Sequence, residues 1–269
     1  MPARRAQRAR AAEDTASAAV ERALAMLETI AQRGGLTNSE LSRRLEIPKS
    51  SASYLLRTLE ARGYLQRERE TGKYQLGLKL LSLSRAVLTG LDVREVALPV
   101  LRQLLERTQL TTHVAVLDRG EAVYIAKLDA PGFIKMDTWV GRRMWLHATS
   151  VGKALLAHRP HSEVEEIIKE RGLPKRTPKT LATRAKLLRE LEQVRAQGYA
   201  VDDEENNLGA RCVAAPVFDP LGQAEAAVGV SGTTGQIDGR SLPRIAELVR
   251  EAARKISRQL EHHGALRRL

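Results

Sequence analysis

The stretch that decides the fold of the N-terminal part is IPKSSASYLLRTLEARG, residues 47–63. Pro48 suits the start of a helix, because its missing N–H would have no intrahelical partner there, and Gly63 suits the position just past the end. At about 100° per residue, apolar side chains share one face and polar side chains share the other. The pattern predicts an amphipathic helix with one buried face. The buried face holds Ala52, Leu55, Leu56 and Leu59, and the polar face holds Ser50, Ser53, Tyr54 and Arg57, flanked by Lys49 and Ser51.

The neighbours of this helix predict a DNA-binding motif. Upstream, the segment Thr37-Asn38-Ser39-Glu40 is a capping box that opens a short helix. Two helices joined by a tight turn form a helix-turn-helix, whose second helix enters the major groove. Downstream, two short strands around residues 68–73 predict a hairpin, which in this position is a wing. We therefore interpret residues 16–77 as a winged helix-turn-helix domain that binds double-stranded DNA. The residues predicted to contact DNA are Lys49, Ser50, Ser51, Ser53, Tyr54, Arg57, Arg67, Arg69 and Lys73.

Composition favours two domains and an acidic partner. The chain has 269 residues, a net charge of +12 and a sequence pI of about 10.2. Its single cysteine excludes an internal disulfide framework and fits a reducing, cytoplasmic location. We find no signal peptide and no apolar run near the roughly 20 residues that a membrane helix needs. Residues 1–15 are predicted to be a disordered basic arm, either a solvated tail or a nonspecific phosphate contact.

The rest of the chain predicts interleaved helices and antiparallel hairpins. A helix from Ser17 to Gln32 packs behind the helix-turn-helix, and residues 78–91 form an apolar linker helix that favours pairing with a second copy. Residues 92–263 alternate strands and helices, which predicts an α+β domain, followed by a tail at 264–269. We also expect a strand within 132–140, a helix capped by Ser162, a helix over 184–197, strands around 212–232, and Trp139 in the core.

Polar residues of the second domain point to an anion-binding pocket. A helix that opens near Thr149 presents free N–H groups, and such an end binds anions readily. An acidic run at 202–205 precedes Cys212 in the sequence. Each feature also has an ordinary explanation: Thr149 as a simple cap, Cys212 as a small buried hydrophobe, and the acidic run as a solvated loop. A metal site formed by His147, Asp202 and Cys212 matches no spacing typical of metal ligands.

Three segments of the second domain carry recognisable motifs, namely LHATSVGKA at 146–154, GYAVDDEE at 198–205 and GARCVAAPVF at 209–218. In these motifs the chain resembles the IclR family of bacterial transcriptional regulators. The resemblance implies a winged helix-turn-helix, a linker helix and a GAF-like effector-binding domain, assembled as dimers that often pair into tetramers. It implies an organic-acid effector, whose carboxylate the amides of Ser150 and Val151 would hold. The implied pocket residues are Met136, Ser150, Val151, Asp202, Cys212, Gly229 and Ser231.

Two positions depart from the family pattern. Gly229 stands where some members have a serine, which removes one polar contact. Tyr54 stands where many members have an arginine, so that an operator sequence cannot be transferred from them.

The favoured hypothesis is a regulator of a catabolic operon whose operator binding is modulated by a small organic acid. It requires no enzyme activity, cofactor, metal or membrane, and leaves open whether the protein represses or activates. An alternative is an enzyme domain fused to a DNA-binding module, with Cys212 as nucleophile and His147 as base. A third possibility is a nonregulatory, chromatin-type DNA binder, against which the full-sized second domain argues.

Overall fold

The computed structural model describes the backbone of residues 2–89, 92–132 and 135–266, and the side chains of 17–89, 92–132 and 135–261. The chain forms two compact units that divide between Leu88 and Thr89. Each unit has its own hydrophobic core. The first unit contains the predicted helix-turn-helix, including residues 47–63, and the second contains the predicted α+β domain.

The first unit is a helix-turn-helix followed by a hairpin. Its elements are α1 (Pro2–Arg33), α2 (Asn38–Arg44), α3 (Lys49–Ala61), β1 (Leu65–Arg67), β2 (Tyr74–Leu76) and α4 (Lys79–Thr89). Met26 of α1, Leu41 of α2 and Leu56 of α3 are fully buried in one cluster. The predicted capping box is confirmed: the Glu40 amide donates to the Thr37 hydroxyl, and the Thr37 amide donates to the Glu40 carboxylate at 2.8 Å.

The wing is tied to the helices through its second strand. Leu36 and Tyr74 exchange both backbone hydrogen bonds, at 3.1 and 2.8 Å. Gly77, which follows β2, lies against the turn after α3, and a Cβ on it would lie 2.1 Å from the Gly63 carbonyl oxygen. Gly63 has a φ of +77°, as expected for the residue just past a helix end. These contacts fix the wing beside α3.

Helix α1 begins earlier than the sequence analysis expects. It is helical from Pro2, so the disordered arm predicted over residues 1–15 and the helix start predicted at Ser17 are not observed. The physical reason is composition. After Pro2, which suits a first helical position, the segment is rich in Ala and Arg, strong helix formers, and contains no further Pro or Gly.

The second unit is built on a six-stranded antiparallel sheet with the strand order β5-β4-β3-β8-β7-β6. Helix α5 (Asp92–Thr108) precedes it. The strands are β3 (Thr111–Asp118), β4 (Glu121–Leu128), β5 (Arg143–Met144), β6 (Ala200–Asp203), β7 (Ala210–Phe218) and β8 (Ala224–Thr233). The remaining helices are α6 (Ser150–Leu156), α7 (His161–Arg171), α8 (Arg184–Gln197) and α9 (Leu242–Leu266).

Two cores cover the two faces of this sheet. Helices α5 and α9 pack on one face, through residues such as Leu101 and Ile256. Helices α6, α7 and α8 pack on the other, through residues such as Leu155 and Leu191. The α+β prediction is therefore confirmed, as are the helix at 184–197 and the strands around 212–232. The polar residues predicted to form a pocket lie between the sheet and the start of α6.

Four local expectations are wrong. The described part of 132–140 contains no strand, and Trp139 is 54% exposed because it stacks under the Arg142 guanidinium instead of entering the core. Helix α7 follows Pro160 with no side-chain cap, so Ser162 lies inside it. Helix α9 continues to Leu266, into the predicted tail, because one glycine at 264 does not stop a long amphipathic helix. The short strand β6 was not predicted.

Candidate functional site

The exposed face of α3 carries the predicted DNA-reading residues. Ala52 and Leu56 are fully buried, whereas Ser50 and Arg57 are exposed and Tyr54 is 66% exposed. An exposed phenol of this size on a helix that packs by its other face is available to a partner. The face therefore has the geometry of a recognition helix. Lys49 is exposed, and Ser51 and Ser53 are partly exposed on its flanks.

The wing presents cations beside that helix. Arg67, Arg69 and Lys73 are exposed at or next to its tip. The Arg67 guanidinium lies 5.6 Å from the centre of the Tyr74 ring, an arrangement that holds the base of its side chain against the hairpin. Arg43 and Arg44, at the end of α2, are also exposed. The sequence analysis did not predict a DNA contact for these two arginines, although they lie in the last turn of α2, the first helix of the helix-turn-helix.

A cavity of about 180 Å³ lies between the start of α6 and the sheet in the second unit. Its floor follows from strand register, because Asp202 on β6 lies opposite Cys212 on β7, which in turn lies opposite Ser231 on β8. Side chains directly opposite each other on antiparallel strands share a face. Ser150, at the start of α6, and Met136, on the loop after β4, close the cavity. We call this the sheet cavity.

Two predicted pocket residues do not line the sheet cavity. Val151 is 1% exposed and packs in the apolar core between the sheet and α6. Gly229 lies opposite Ala214, and a Cβ added there would lie 2.9 Å from the Ala214 Cβ, so the strands close that space. Ser150 does line the cavity, and it is the first residue of α6, where backbone N–H groups have no partner within the helix.

Several lining residues were missed by sequence reasoning. Tyr124 comes from β4, and Asp137, Thr138, Arg142 and Met144 come from the segment that leads into and through β5. The Arg142 Nη1 is buried and lies 3.1 Å from an Asp137 carboxylate oxygen, without hydrogen-bond geometry. Thr149, Asn206, Asn207 and Ala210 also line the cavity. Arg142 stands only four residues before the recognised 146–154 segment, which is the one signal in the sequence.

Asp202 is the main titratable group of the sheet cavity. It is 3% exposed, and its Oδ1 accepts hydrogen bonds from the Glu205 and Asn206 amides at 2.8 and 3.3 Å. Burial, and next the charge of Glu205, raise the pKa of Asp202 to about 7, although the two amides and Lys153 oppose the shift. The carboxyl group is therefore partly protonated near neutral pH and can donate as well as accept a hydrogen bond.

Cys212 has the properties of a buried thiol. Its Sγ accepts a hydrogen bond from the Ser231 hydroxyl at 3.1 Å, and burial raises its pKa far above the usual range. A catalytic cysteine needs a lowered pKa, because the thiolate is the nucleophile. His147 is not its partner: the His147 Nε2 lies 3.1 Å from the Pro174 carbonyl oxygen, and the ring lines a separate cleft beside α7. The arrangement does not support a Cys-His nucleophile.

A buried ion pair anchors the edge of the sheet cavity. Lys153 of α6 is fully buried, and its Nζ lies 2.6 Å from Glu205 and 2.9 Å from Glu190. Glu205 is also the residue whose amide bonds Asp202. The start of α6 and the loop after β6 are thereby held together, which fixes two walls of the cavity.

The loop after β4 is anchored in a similar way. Lys127 donates from Nζ to the backbone carbonyls of Met136 and Thr138 at 3.0 and 2.6 Å, and forms an ion pair with Asp129 at 2.9 Å. The described part of the chain holds no group of three or more His, Cys, Asp or Glu side chains arranged to bind a metal ion. None of the helices in that part is long and apolar enough to span a membrane.

Comparison with known proteins gives matches over both units. Residues 19–69 match the IclR helix-turn-helix domain, and residues 85–258 match the bacterial transcriptional regulator IclR C-terminal domain. The HTH-type transcriptional regulator XynR of Escherichia coli (strain K12) is 37% identical over 242 residues, which cover 90% of this chain and 96% of XynR.

Solved structures give the same result. The crystal structure of the Thermotoga maritima IclR is 32% identical, with a TM-score of 0.75, and the match covers 90% of this chain and 98% of that one. An IclR homolog from Microbacterium hydrocarbonoxydans, solved in complex with 4-hydroxybenzoate, is 28% identical with a TM-score of 0.79 and covers 91% and 99%.

Proposed function

Because the chain belongs to the IclR family of bacterial transcriptional regulators, we propose that the exposed face of α3 reads an operator and that the sheet cavity binds the effector. The chain is a DNA-binding transcriptional regulator and not an enzyme. The raised pKa of the Cys212 thiol agrees with the second statement, because a nucleophilic cysteine needs a lowered one. We propose below which residues contact DNA, which residues bind the effector, and what kind of molecule the effector is.

The operator contacts follow from the polar face of α3. Ser50, Ser53, Tyr54 and Arg57 face away from the core and are proposed to reach base edges and phosphates in the major groove. Among them, Arg57 offers a planar fork of N–H donors, which suits bidentate contact with guanine. Lys49 and Ser51, and the wing residues Arg67, Arg69 and Lys73, are proposed to contact the backbone phosphates.

The effector is proposed to be a small organic acid held in the sheet cavity, and the size of this cavity is the observation that carries the proposal. At about 180 Å³ it is slightly larger than the ~150 Å³ of an engineered cavity that takes up benzene. One ring or a few carbons therefore fit. Arg142, the Ser150 amide, the Ser231 hydroxyl and protonated Asp202 supply donors for a carboxylate. The ligand of the Microbacterium relative, 4-hydroxybenzoate, has this chemistry and size.

The protein is proposed to act as a homodimer, with a dimer of dimers on the operator as the larger assembly. None of the residues of α4 is buried in the single chain. Leu81 is 65% exposed and Val87 is 66% exposed, and α1 exposes Val20 and Leu24 as well. Apolar exposure concentrated on helices is typical of an interface between chains. We propose the cytoplasm as its location, because a regulator of this family acts on the bacterial chromosome.

The effector controls DNA binding only if it binds one arrangement of the dimer better than another. The lining of the sheet cavity comes from α6, the sheet and the loop after β4, which Lys153 and Lys127 hold in place. A ligand that contacts all three favours one arrangement of them.

The DNA-reading surface is tested by Arg57→Ala in a gel shift at fixed salt, with the protein's own upstream region and with random duplex. Loss of a bidentate contact costs about 1–3 kcal/mol, so affinity for the upstream region falls by a factor between about 5 and about 100. Arg189→Ala is the matched control, because Arg189 is an exposed arginine in the second unit. Equal affinity of Arg57→Ala and the control would refute the assignment.

The effector site is tested by Ser231→Phe, which fills the sheet cavity, in a thermal shift screen of small organic acids. Wild type is expected to gain stability with one class of acid, since a ligand that binds only the folded state raises its stability. The variant is expected to lose this response and to keep its affinity for the upstream region. A variant that still responds to the acid would place the effector elsewhere.

A further inference from the structure

A second cavity lies at the opposite end of strand β7. Its volume is about 570 Å³, and it is formed by the chain around the end of α6, the end of α8, β7 and α9. Strand β7 contributes Cys212 to the sheet cavity and Phe218 to this one, and the two cavities have no lining residue in common. We call the second one the arginine cavity.

Positive charge dominates the lining of the arginine cavity. Arg250, Arg254 and Arg258 are spaced four residues apart on α9, so they lie along one side of that helix. Arg195 of α8 also lines the cavity. Among the described lining residues, Glu261 is the one acid. A cleft lined by one sign of charge concentrates ions of the opposite sign.

Neighbouring carboxylates neutralise only part of this charge. Glu247 forms ion pairs with both Arg250 and Arg254, at 2.8 and 2.6 Å, so one carboxylate serves two guanidinium groups. Arg195 donates to the Ala157 carbonyl oxygen at 2.9 Å, which supplies no charge. Within the described side chains, Arg195 and Arg258 form no ion pair. Two guanidinium groups therefore remain to be balanced by an anion from outside.

The floor of the cavity is apolar and contains an unpaired ring nitrogen. The His158 ring stands edge-on to Phe218, with centroids 4.9 Å apart, and its Nε2 is buried without a hydrogen-bond partner in the described structure. Burial, and next the charge of Arg195, lower the pKa of His158, so the ring is neutral near pH 7. Buried polar atoms without a hydrogen-bond partner are uncommon in folded proteins.

We propose that the arginine cavity is a second ligand site, which binds a small molecule that carries a phosphate group on an apolar body. Guanidinium groups match phosphate oxygens with paired hydrogen bonds, and a dianion balances the two unpaired arginines where a monocarboxylate would balance one. The apolar body fits against Phe218. The volume lies within the roughly 300–1,000 Å³ of small-molecule sites, and is three times that of the sheet cavity. The inference holds whether or not the sheet cavity binds an organic acid.

The test is isothermal titration calorimetry of the full chain with phenyl phosphate, and with inorganic phosphate and phenol as the two halves of that probe. Saturable binding of phenyl phosphate is expected, tighter than either half. The double variant Arg195→Ala/Arg258→Ala is expected to weaken it about tenfold or more, since each removes a charge-assisted contact. The double variant Arg189→Ala/Arg244→Ala is the control, with equal loss of charge at two exposed arginines outside the cavity.

Three outcomes would overturn the proposal. One is equal binding by wild type and the cavity double variant. Another is loss of phenyl phosphate binding in Ser231→Phe, which would show that the probe enters the sheet cavity. The third is a difference in oligomeric state between the cavity double variant and wild type in sedimentation equilibrium. That result would assign the arginines to a contact between chains. Unchanged circular dichroism of the cavity double variant establishes that it is folded.

Discussion

Replacing Asp202 by asparagine should remove a pH-dependent destabilisation of the second unit. The folded state raises the pKa of this carboxyl from 3.8 to about 7. A difference of about 3 units, at ~1.4 kcal/mol per unit, amounts to about 4 kcal/mol. Because the residue is 3% exposed, solvent screening reduces this figure little. The charged carboxylate therefore costs the folded state about 4 kcal/mol at pH values above both pKa values.

The direction in which stability changes with pH follows from proton binding. The folded state holds the proton more tightly than the unfolded chain, so stability is full below about pH 4 and falls as the pH rises to about 7. Asparagine keeps an acceptor for the Glu205 and Asn206 amides and does not ionise. Asp202→Asn should therefore be more stable than wild type at pH 8, by up to about 4 kcal/mol, and should lack most of the fall between pH 4 and 7.

The measurement is urea unfolding followed by tryptophan fluorescence at a series of pH values. Both tryptophans of the chain, Trp139 and Trp145, lie in the second unit, so the signal reports that unit alone. Asp203→Asn is the control. Burial acts to raise the pKa of Asp203, but Arg211 and Lys179 outweigh it and lower the pKa, so its contribution has the opposite sign.

The reasoning is refuted if Asp202→Asn and wild type lose the same stability between pH 4 and 7. Glu205, whose pKa burial also raises, accounts for a smaller residual slope. A functional consequence follows: a carboxylate effector should bind wild type more weakly at pH 8 than at pH 6, because ionised Asp202 repels it. Binding to Asp202→Asn should change less over that range.

Three further predictions concern packing and assembly. Lys153→Met should destabilise the second unit by about 3–5 kcal/mol in urea unfolding, because it leaves the buried Glu205 carboxylate unpaired, and adding Glu205→Gln should recover part of the loss. A cost below about 1 kcal/mol would contradict the buried pair. Gly152→Ala should cost about 1–3 kcal/mol and weaken effector binding, since its Cβ would lie 2.4 Å from Leu146 backbone atoms; an unchanged melting temperature would exclude that crowding. Leu81→Glu should shift the protein toward monomer in sedimentation equilibrium and weaken operator binding, whereas a dimer of wild-type strength would remove α4 from the interface.

The elements of the first unit could be predicted from local sequence because local contacts build them. The capping box depends on Thr37 and Glu40, three residues apart, and the buried face of α3 depends on positions three and four residues apart. The wing follows from a short hairpin with its turn at 68–73. The early start of α1 at Pro2 agrees with the Ala- and Arg-rich composition of the segment, although its arginines without an apolar run predict a disordered arm.

The sheet cavity could be predicted only in part. The resemblance to a family supplied Met136, Ser150, Asp202, Cys212 and Ser231, which the structure brings together at one cavity. The polar residues near Thr149, Asp202 and Cys212 already predicted one pocket, but their places on separate elements left its lining open. Whether they bind an acid remains a prediction.

Sequence by itself therefore determined the helices, the hairpins, the family and the DNA-binding role, because these depend on spacing within a few residues or on recognisable segments. Tertiary structure decided where the cavities lie and which residues line them. Register across β6, β7 and β8 aligns Asp202, Cys212 and Ser231, while close strand contact excludes Gly229. Residues at the end of α8, on β7 and on α9, which are far apart in the chain, together line the arginine cavity. Voids and pKa shifts arise from groups far apart in the chain, and no local period encodes which of them will meet.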